Sequence, residues 1–149
     1  MSNSLFAARG DHDAIENGTA LMPRFDADGL IVAIATDATD GEVLMVAYMD
    51  AEALARTIET GEAWFYSRSR RRLWKKGEES GNVLAVSDIR IDCDQDAVVL
   101  KVTLGGDGVA CHQGYRSCFY RSVPIGTAPD AELSLEPDTA MKRVKRAER

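Results

Sequence analysis

The chain has 149 residues, a hydrophobic fraction of 45% and a formal net charge of -6. This length predicts a single domain over residues 1–149 with one core. No apolar run approaches the ~18 residues of a membrane span, the acidic balance argues against general nucleic-acid binding, and the N-terminus lacks the pattern of an export signal. We therefore expect a cytoplasmic protein with no membrane or nucleic-acid partner.

Residues 1–25 are mostly polar and are interpreted as an N-terminal extension of this domain. Asp11 or Asp13 could cap a short helix that Gly18 ends. The apolar, β-branched run 30–35 then predicts a strand, and Asp40-Gly41 is a strong signal for a hairpin turn. The partner strand is expected over residues 43–48.

The strongest helix signal follows this hairpin. Asp50 stands at an N-cap position, good helix formers follow it, and Gly61 provides the stop. Residues 64–66, Trp-Phe-Tyr, resume extended structure. We therefore predict one main helix between two stretches of strand, with Ala53, Leu54, Thr57 and Ile58 as its apolar or small positions.

Two more strands are predicted in the second half of the chain. Residues 83–92 alternate in a way that suits a half-buried strand, and residues 97–104 are strongly β-prone. Glycines at positions 105, 106 and 108 require a sharp turn there. We expect the resulting hairpin to carry Cys111 back toward residues 92–96, before a last strand over residues 119–123.

These elements define the expected fold class. One main helix and about seven short strands predict an α+β fold with a mostly antiparallel β-sheet. Residues 124–149 are polar, contain prolines and end in the basic run KRVKRAER, so we expect a loosely ordered basic tail.

All three cysteines lie in two short segments, DCDQD and ACHQGYRSCF. Three cysteines cannot all pair within one chain, and a reducing compartment disfavours disulfides. Cys93, Cys111 and Cys118 could instead supply the three protein ligands that are typical of a catalytic zinc. The alternative is that they are small buried hydrophobes.

Three aspartates alternate with other residues around Cys93. In a regular strand Asp92, Asp94 and Asp96 would share one face, while Cys93 would point the other way. In that case the carboxylates and the thiol of one chain could not bind the same metal ion. This implies either two metal sites or a ligand that is donated to another subunit. Clustered carboxylates suit a hard cation such as magnesium, and a solvated acidic turn is the alternative.

The basic stretch SRSRRRLWKKGEESG lies between the helix and these two segments. Arginine forks and hydroxyl groups suit phosphate oxygens, whereas a solvated basic surface is the alternative. The candidate substrate- or phosphate-binding residues are Arg68, Arg70, Trp74, Lys75, Ser80 and Gly81.

Four segments, in this order and spacing, resemble one enzyme family. They are GEVLMVAYMDAEAL, TGEAWFYSRSRRRLWKKGEESGNVL, DCDQD and ACHQGYRSCF. They are similar to the phosphoribosyl-AMP cyclohydrolases, which open an adenine ring in histidine biosynthesis. Residues 1–25 and 124–149 lie outside the resemblance, and a chain with one such domain is expected to be monofunctional.

The resemblance implies a set of roles for the residues of these motifs. Asp92, Asp94 and Asp96 would bind magnesium. Cys93 would join Cys111 and Cys118 of the other subunit on zinc, with one zinc per subunit, in an intertwined homodimer. His112 would be catalytic by its place in the motif.

The implied substrate is N1-(5-phosphoribosyl)-AMP, whose alkylated N1 makes C6 electrophilic, so that hydrolysis would break the N1–C6 bond. Three thiolates are expected to weaken the acidifying effect of zinc on water, so a nearby base is needed. Histidine ordinarily titrates near neutrality, which makes His112 the candidate. The magnesium and the cluster around Arg68, Arg70 and Lys75 would hold the two phosphate groups.

A second class of function is a structural-zinc module that binds nucleic acid or a protein partner through the basic strip SRSRRRLWKK. A zinc nucleoside deaminase is disfavoured, because the H-x-E and P-C-x-x-C segments of such enzymes are missing from the sequence.

Overall fold

A computed structural model describes residues 5–135 of the chain. Two helices and eight strands lie in this range. In chain order they are α1 (His12–Asn17), β1 (Ile31–Asp37), β2 (Val43–Met49), α2 (Ala51–Thr60), β3 (Trp64–Ser67), β4 (Arg72–Lys75), β5 (Leu84–Ile91), β6 (Ala97–Leu104), β7 (Arg121–Ser122) and β8 (Ser134–Leu135).

The central element is a four-stranded sheet with the order β2-β1-β6-β5. The β1–β2 and β5–β6 pairs are antiparallel hairpins, and they join through a parallel pairing of β1 with β6. Strands β3 and β4 form a separate antiparallel pair, as do β7 and β8. The prediction of an α+β fold with a mostly antiparallel sheet and few helices is confirmed.

The parallel pairing gives the sheet two distinct ends. Val32 of β1 lies opposite Ala97 of β6, and Asp37 lies opposite Val102. The turn between β5 and β6 is therefore at the end where β1 begins, which we call the carboxylate end because it holds residues 92–96. The segment that follows β6 leaves from the other end, which we call the thiol end.

Both helices begin and end where the sequence predicts. The Asp11 side chain accepts a hydrogen bond from the Ala14 N–H at 2.9 Å, and Gly18 ends α1. In α2 the Asp50 side chain accepts from the Ala53 N–H at 2.8 Å, and Gly61 ends the helix in the left-handed region with φ of 72°.

The core lies between the four-stranded sheet, α2 and the β3–β4 pair. Thr57 ties α2 to β3: its hydroxyl donates to the Ala53 carbonyl and accepts from the Trp64 N–H at 2.9 Å. Of the four predicted helix positions, Ile58 is 47% exposed and is not part of the core. The largest fully buried side chains are those of Phe65, Ile31, Leu44, Met49, Leu54, Leu84 and Leu100.

The expected return of the chain after β6 is wrong. Residues 105–120 do not pair with β6 but cross to the start of β2, where the Ser117 hydroxyl donates to the Val43 carbonyl and the Cys118 N–H to the Leu44 carbonyl, each at 2.7 Å. Cys111 therefore lies at the thiol end and not beside residues 92–96. The expected last strand is reduced to β7, which pairs with β8.

Neither helix within residues 5–135 is long and apolar enough to cross a membrane. Of the predicted loose tail over residues 124–149, the part up to residue 135 is described and includes β8, whereas the rest, with the basic run at residues 142–149, lies outside the described residues.

Candidate active site

The three aspartates lie in a tight turn and not in a regular strand. Strand β5 ends at Ile91, and the turn is closed by hydrogen bonds from the Asp92 N–H to the Ala97 carbonyl and from the Gln95 N–H to the Asp92 carbonyl. The alternation argument, which placed the carboxylates on one face of a strand, is therefore wrong in its geometry. The turn brings the carboxylates together in another way, because it folds the chain around Asp92.

The carboxylates of Asp92, Asp94 and Asp96 each offer an oxygen within 4.8 Å of the other two. Asp92 also accepts hydrogen bonds from the N–H groups of Asp96 and Ala97, at 2.8 and 3.1 Å, which fix one of its oxygens. Within residues 5–135 this is the one group of three side chains with the spacing of a metal site. These oxygen donors could hold a metal ion, and they fit a hard cation best.

The carboxylates of the cluster lie close enough to perturb one another's pKa values. The hydrogen bond that Asp96 shares with Asp92, partial burial and the adjacent Asp94 raise the pKa of Asp96 to about 6. Burial acts to raise the pKa of Asp92 as well, but hydrogen bonds from Asp96 and Ala97 outweigh it and lower that pKa. A divalent cation would relieve the repulsion between these like charges.

We expect proton and cation to compete for Asp96. Its pKa is raised in the folded state, so the stability that its proton contributes is present below about pH 4 and is lost as the pH rises through about 6. Magnesium should therefore raise the melting temperature of metal-depleted protein more at about pH 7.5 than at about pH 5. Calorimetry with and without MgCl2 measures this, and Asp96→Asn should remove the difference. An equal magnesium effect at both pH values would contradict the prediction.

Two of the three cysteines meet at the thiol end. Cys111 is buried, and its N–H donates to the Tyr115 carbonyl in a tight loop. Cys118 keeps some surface exposure, yet its sulfur is surrounded well enough that burial, followed by the charge and hydrogen bond of Cys111, raises the pKa of Cys118 to about 11. Two such thiols would ionise together only with a cation beside them, so the pair fits a thiophilic metal.

The third cysteine is at the other end of the sheet. Cys93 is exposed in the turn of the carboxylate end, and the eight-residue strand β6 that separates it from the Cys111 loop spans roughly 26 Å. Within the described part of one chain, no group of three metal-ligand side chains includes a cysteine. One chain therefore brings together two of the predicted zinc ligands, and the third cannot reach them.

Two basic residues that the sequence analysis did not single out hold the loop that carries these thiols. The Lys76 ammonium donates to the Ala110 carbonyl at 2.6 Å, and its charge acts to lower the pKa of Cys118. Arg116 lies between the two cysteines and pairs with carboxylates of the β1–β2 turn. Its nearest partners there are Asp37 at 2.7 Å, Asp40 at 3.2 Å and Glu42. The sequence pointed to Lys76 and Arg116 only through their positions inside two of the four family motifs.

Arg116→Met should destabilise the fold by about 2 kcal/mol, because the Arg116 side chain is only 20% exposed and its loss leaves half-buried carboxylates unpaired. Urea unfolding measures this free energy. The matched control is Arg90→Met, which removes the exposed pair with Asp88 and should leave the free energy of unfolding close to that of the wild type. An equal loss of unfolding free energy in the two variants would show that the ion pairs of Arg116 stabilise the fold no more than an exposed pair does.

His112 follows Cys111 directly and is exposed at the thiol end. Its position agrees with access to a bound molecule at the two thiols, because the loop between Cys111 and Gly114 is closed by a hydrogen bond and presents the side chain outward. The catalytic role of His112 stays a prediction.

The candidate phosphate-binding residues divide between the two ends. The Arg68 guanidinium stacks on the Tyr48 ring at 4.2 Å, and Tyr48 lies across β1 from the start of β6, at the carboxylate end. Ser80 and Gly81 precede β5 at the thiol end, where the Gly81 carbonyl lies 2.7 Å from the point that a side chain at Gly106 would occupy. Within one chain, Arg68 therefore lies at the opposite end of the sheet from Ser80 and Gly81.

Other members of this set have partners of their own. The Lys75 ammonium pairs with Glu62 at 3.0 Å, and Trp74 packs on Phe65 with 5.3 Å between ring centroids. The Arg70 backbone N–H and guanidinium both donate to the Ser67 hydroxyl, so that Arg70 is held in the β3–β4 turn. Their role in binding a substrate stays a prediction.

A small α+β domain with a carboxylate cluster at one end and a thiol pair at the other has the donor groups of a metal-dependent enzyme. A family model described as phosphoribosyl-AMP cyclohydrolase matches residues 45–120. The chain belongs to the phosphoribosyl-AMP cyclohydrolase family, and the resemblance inferred from the motifs is confirmed.

Individual relatives agree with the family match. A phosphoribosyl-AMP cyclohydrolase of Brucella abortus (strain S19) is 62% identical over 136 residues, which are 91% of this chain and 97% of that protein. One of Rhodopseudomonas palustris (strain HaA2) is 57% identical over 133 residues, which are 85% of this chain and 89% of that protein. The Brucella alignment is longer than residues 26–123, so it extends into the flanking segments that the motifs had left outside.

Proposed function

We propose that the chain is a hydrolase that opens the adenine ring of N1-(5-phosphoribosyl)-AMP in histidine biosynthesis, with cleavage of the N1–C6 bond. Membership of the family over most of the chain carries this proposal. The two donor sets support it, because ring hydrolysis at neutral pH requires an activated water and neutralised phosphates. We further propose that residues 1–149 act as one domain in the cytoplasm, where cysteines stay reduced.

The proposed zinc site is completed by a second copy of the chain. Cys111 and Cys118 would bind one zinc per subunit together with Cys93 of the other copy, in an intertwined homodimer. The separation of Cys93 from the thiol pair within one chain supports this arrangement. It would also bring Arg68, at the carboxylate end of one copy, toward Ser80 and Gly81 at the thiol end of the other.

The proposed magnesium site is the carboxylate cluster. Asp92, Asp94 and Asp96 offer hard oxygen donors at a spacing that one cation can bridge. A cation there would bind phosphate oxygens of the substrate, and the cluster around Arg68, Arg70 and Lys75 would hold the remaining phosphate charge. Trp74 would hold the β3–β4 pair that carries Lys75 in place through its packing on Phe65.

Zinc at the thiol site would supply Lewis acidity that makes a nearby water more acidic. His112 takes a proton from this water as its oxygen bonds to C6 of the substrate. The N1–C6 bond then breaks and its electron pair passes to N1, which receives the proton held on His112. The hydroxyl group on C6 gives its own proton to the exocyclic nitrogen as the C=O bond of the carboxamide forms. Lys76, beside Cys118, offsets part of the negative charge of the thiolates.

The direct test is incubation of the purified protein with phosphoribosyl-AMP, followed by ultraviolet absorbance. We expect ring opening that is lost on chelation and restored by adding zinc and magnesium together. Unchanged substrate under every metal condition would refute the proposed activity. Binding of RNA through the basic strip without ring opening would instead favour the structural-zinc module, which the family match does not favour.

A further inference from the structure

One buried side chain in the carboxylate turn has no part in the roles described so far. Gln95 lies between Asp94 and Asp96, and it is 5% exposed, although Asp92 and Asp96 are exposed. Its φ of 59° lies in the left-handed region, which side chains other than glycine seldom adopt. Something outside the turn must hold this residue in place.

The N-terminal extension supplies that hold. The Gln95 amide oxygen accepts from the Met22 N–H at 2.7 Å, and the amide nitrogen donates to the Ile15 carbonyl at 2.9 Å and the Ala20 carbonyl at 3.4 Å. The Gln95 backbone carbonyl accepts from the Arg24 N–H at 2.7 Å. Every polar group of the side chain is thus bonded to the backbone of the extension.

A second contact joins the extension to the turn beside Gln95. The Arg9 guanidinium donates to the Asp94 carbonyl at 3.1 Å and to the Met22 carbonyl at 2.8 Å. It bridges the ligand-bearing turn and the same segment of the extension that Gln95 contacts.

These contacts oppose a specific force. Each of the three carboxylates has an oxygen within 4.8 Å of the other two, so their like charges repel one another and an unsupported turn would relax by moving them apart. The bonds within the turn fix Asp92, but the φ of Gln95 sets the direction in which Asp94 and Asp96 leave the chain. Residues that orient ligands in this way change metal affinity without touching the metal.

We propose that Gln95 and Arg9 position the carboxylate cluster, with the backbone of residues 15–24 of the extension holding Gln95. The extension thereby has a role in the activity although it carries no ligand. This inference rests on the proposed cation site, and it predicts that loss of either attachment weakens cation binding more than it harms the rest of the enzyme.

The test is titration of Mn2+ into full-length protein, read by the paramagnetic resonance of the free ion. Gln95→Met keeps the volume but loses the side-chain bonds, and we expect the dissociation constant to rise about 10-fold or more. Arg9→Ala should raise the dissociation constant by a smaller factor. This variant still tests the proposal if Gln95→Met does not fold. His12→Ala changes an exposed residue of the same extension and should bind as wild type does.

Activity gives a second readout. In Gln95→Met the magnesium concentration for half-maximal turnover should rise, while turnover at saturating magnesium returns to near the wild-type value. Zinc content should not change. A merely structural role would lower the melting temperature and the active fraction at every magnesium concentration, with no shift in the half-maximal concentration.

The outcomes separate this inference from the proposed site. If Asp94→Asn abolishes Mn2+ binding but Gln95→Met and Arg9→Ala bind within about twofold of wild type, the positioning role is refuted and the site stands. If Asp94→Asn leaves Mn2+ binding unchanged, the cation site is refuted and the inference with it. Weakened binding in Gln95→Met and Arg9→Ala but not in His12→Ala supports the inference.

Discussion

Cys111→Ser is expected to retain less than about a tenth of the zinc and to lose at least about 10³-fold in kcat/KM, because serine is a poor zinc ligand at neutral pH. Metal analysis and the ring-opening assay measure the two losses. Circular dichroism should show the wild-type fold, since the loop is closed by backbone hydrogen bonds and a serine hydroxyl can accept the Gln113 N–H bond that the Cys111 sulfur accepts. A variant with full zinc and full activity would refute the ligand assignment.

A mixture of two inactive variants tests whether the site is shared between chains. If Cys93 of one chain serves Cys111 and Cys118 of the other, a dimer of Cys93→Ser with Cys111→Ser has one site with both defects and one intact site. Random exchange of equal amounts makes half of the dimers mixed, so activity should return to about a quarter of wild type. No recovery after demonstrated subunit exchange would show that each site is built from one chain.

His112→Ala is expected to lower kcat by about 10²- to 10⁴-fold, the usual contribution of a general base, while zinc content stays as in wild type. Turnover and metal analysis on the same preparation separate this result from loss of zinc. Gln113→Ala is the matched control, because Gln113 is the exposed neighbour and contacts the Cys111 sulfur through its backbone N–H alone.

Turnover of the wild-type rate in His112→Ala would remove this residue from the mechanism. An equal loss in Gln113→Ala would mean that the loop conformation, and not the imidazole, is responsible. Loss of zinc in His112→Ala would make His112 a ligand or a support of the thiol site. Each result assigns a different role to the exposed loop between Cys111 and Gly114.

The two family motifs that carry the metal-donor groups lie at opposite ends of the sheet. DCDQD forms the turn at one end of the sheet, and ACHQGYRSCF forms the loop at the other. Under the proposed function neither end is complete alone. The active site then depends on association, and its activity should fall on dilution below the dissociation constant of the dimer.

The extension illustrates how a segment without motif residues acquires a role. Residues 1–25 read as polar sequence with a brief helix, and that helix is present. Its packing against Gln95 was not predictable, because a glutamine between two aspartates is expected to be solvated. The close identity with a relative that covers most of the chain agrees with a segment that belongs to the domain.

The sequence by itself determined the elements whose causes are local. Asp50 and Gly61 bound α2 through capping and left-handed backbone, and Asp40-Gly41 closes the β1–β2 hairpin, since each effect acts over a few residues. The ligand types and the family also followed from the sequence, because the motifs are long and stand in one order. These signals need no knowledge of distant contacts.

Only the tertiary structure decided where these groups stand relative to one another. Residues 92–96 form a turn and not a strand because β5 and β6 pair with Ile91 opposite Val98, and Gln95 is held in that turn by a segment about 75 residues earlier in the chain. The Cys111 loop crosses to β2 because Arg116 finds its carboxylates in the β1–β2 turn. Periodicity records neither contact, since both join residues that are remote in sequence, and so the separation of Cys93 from its partner thiols appeared only in the folded chain.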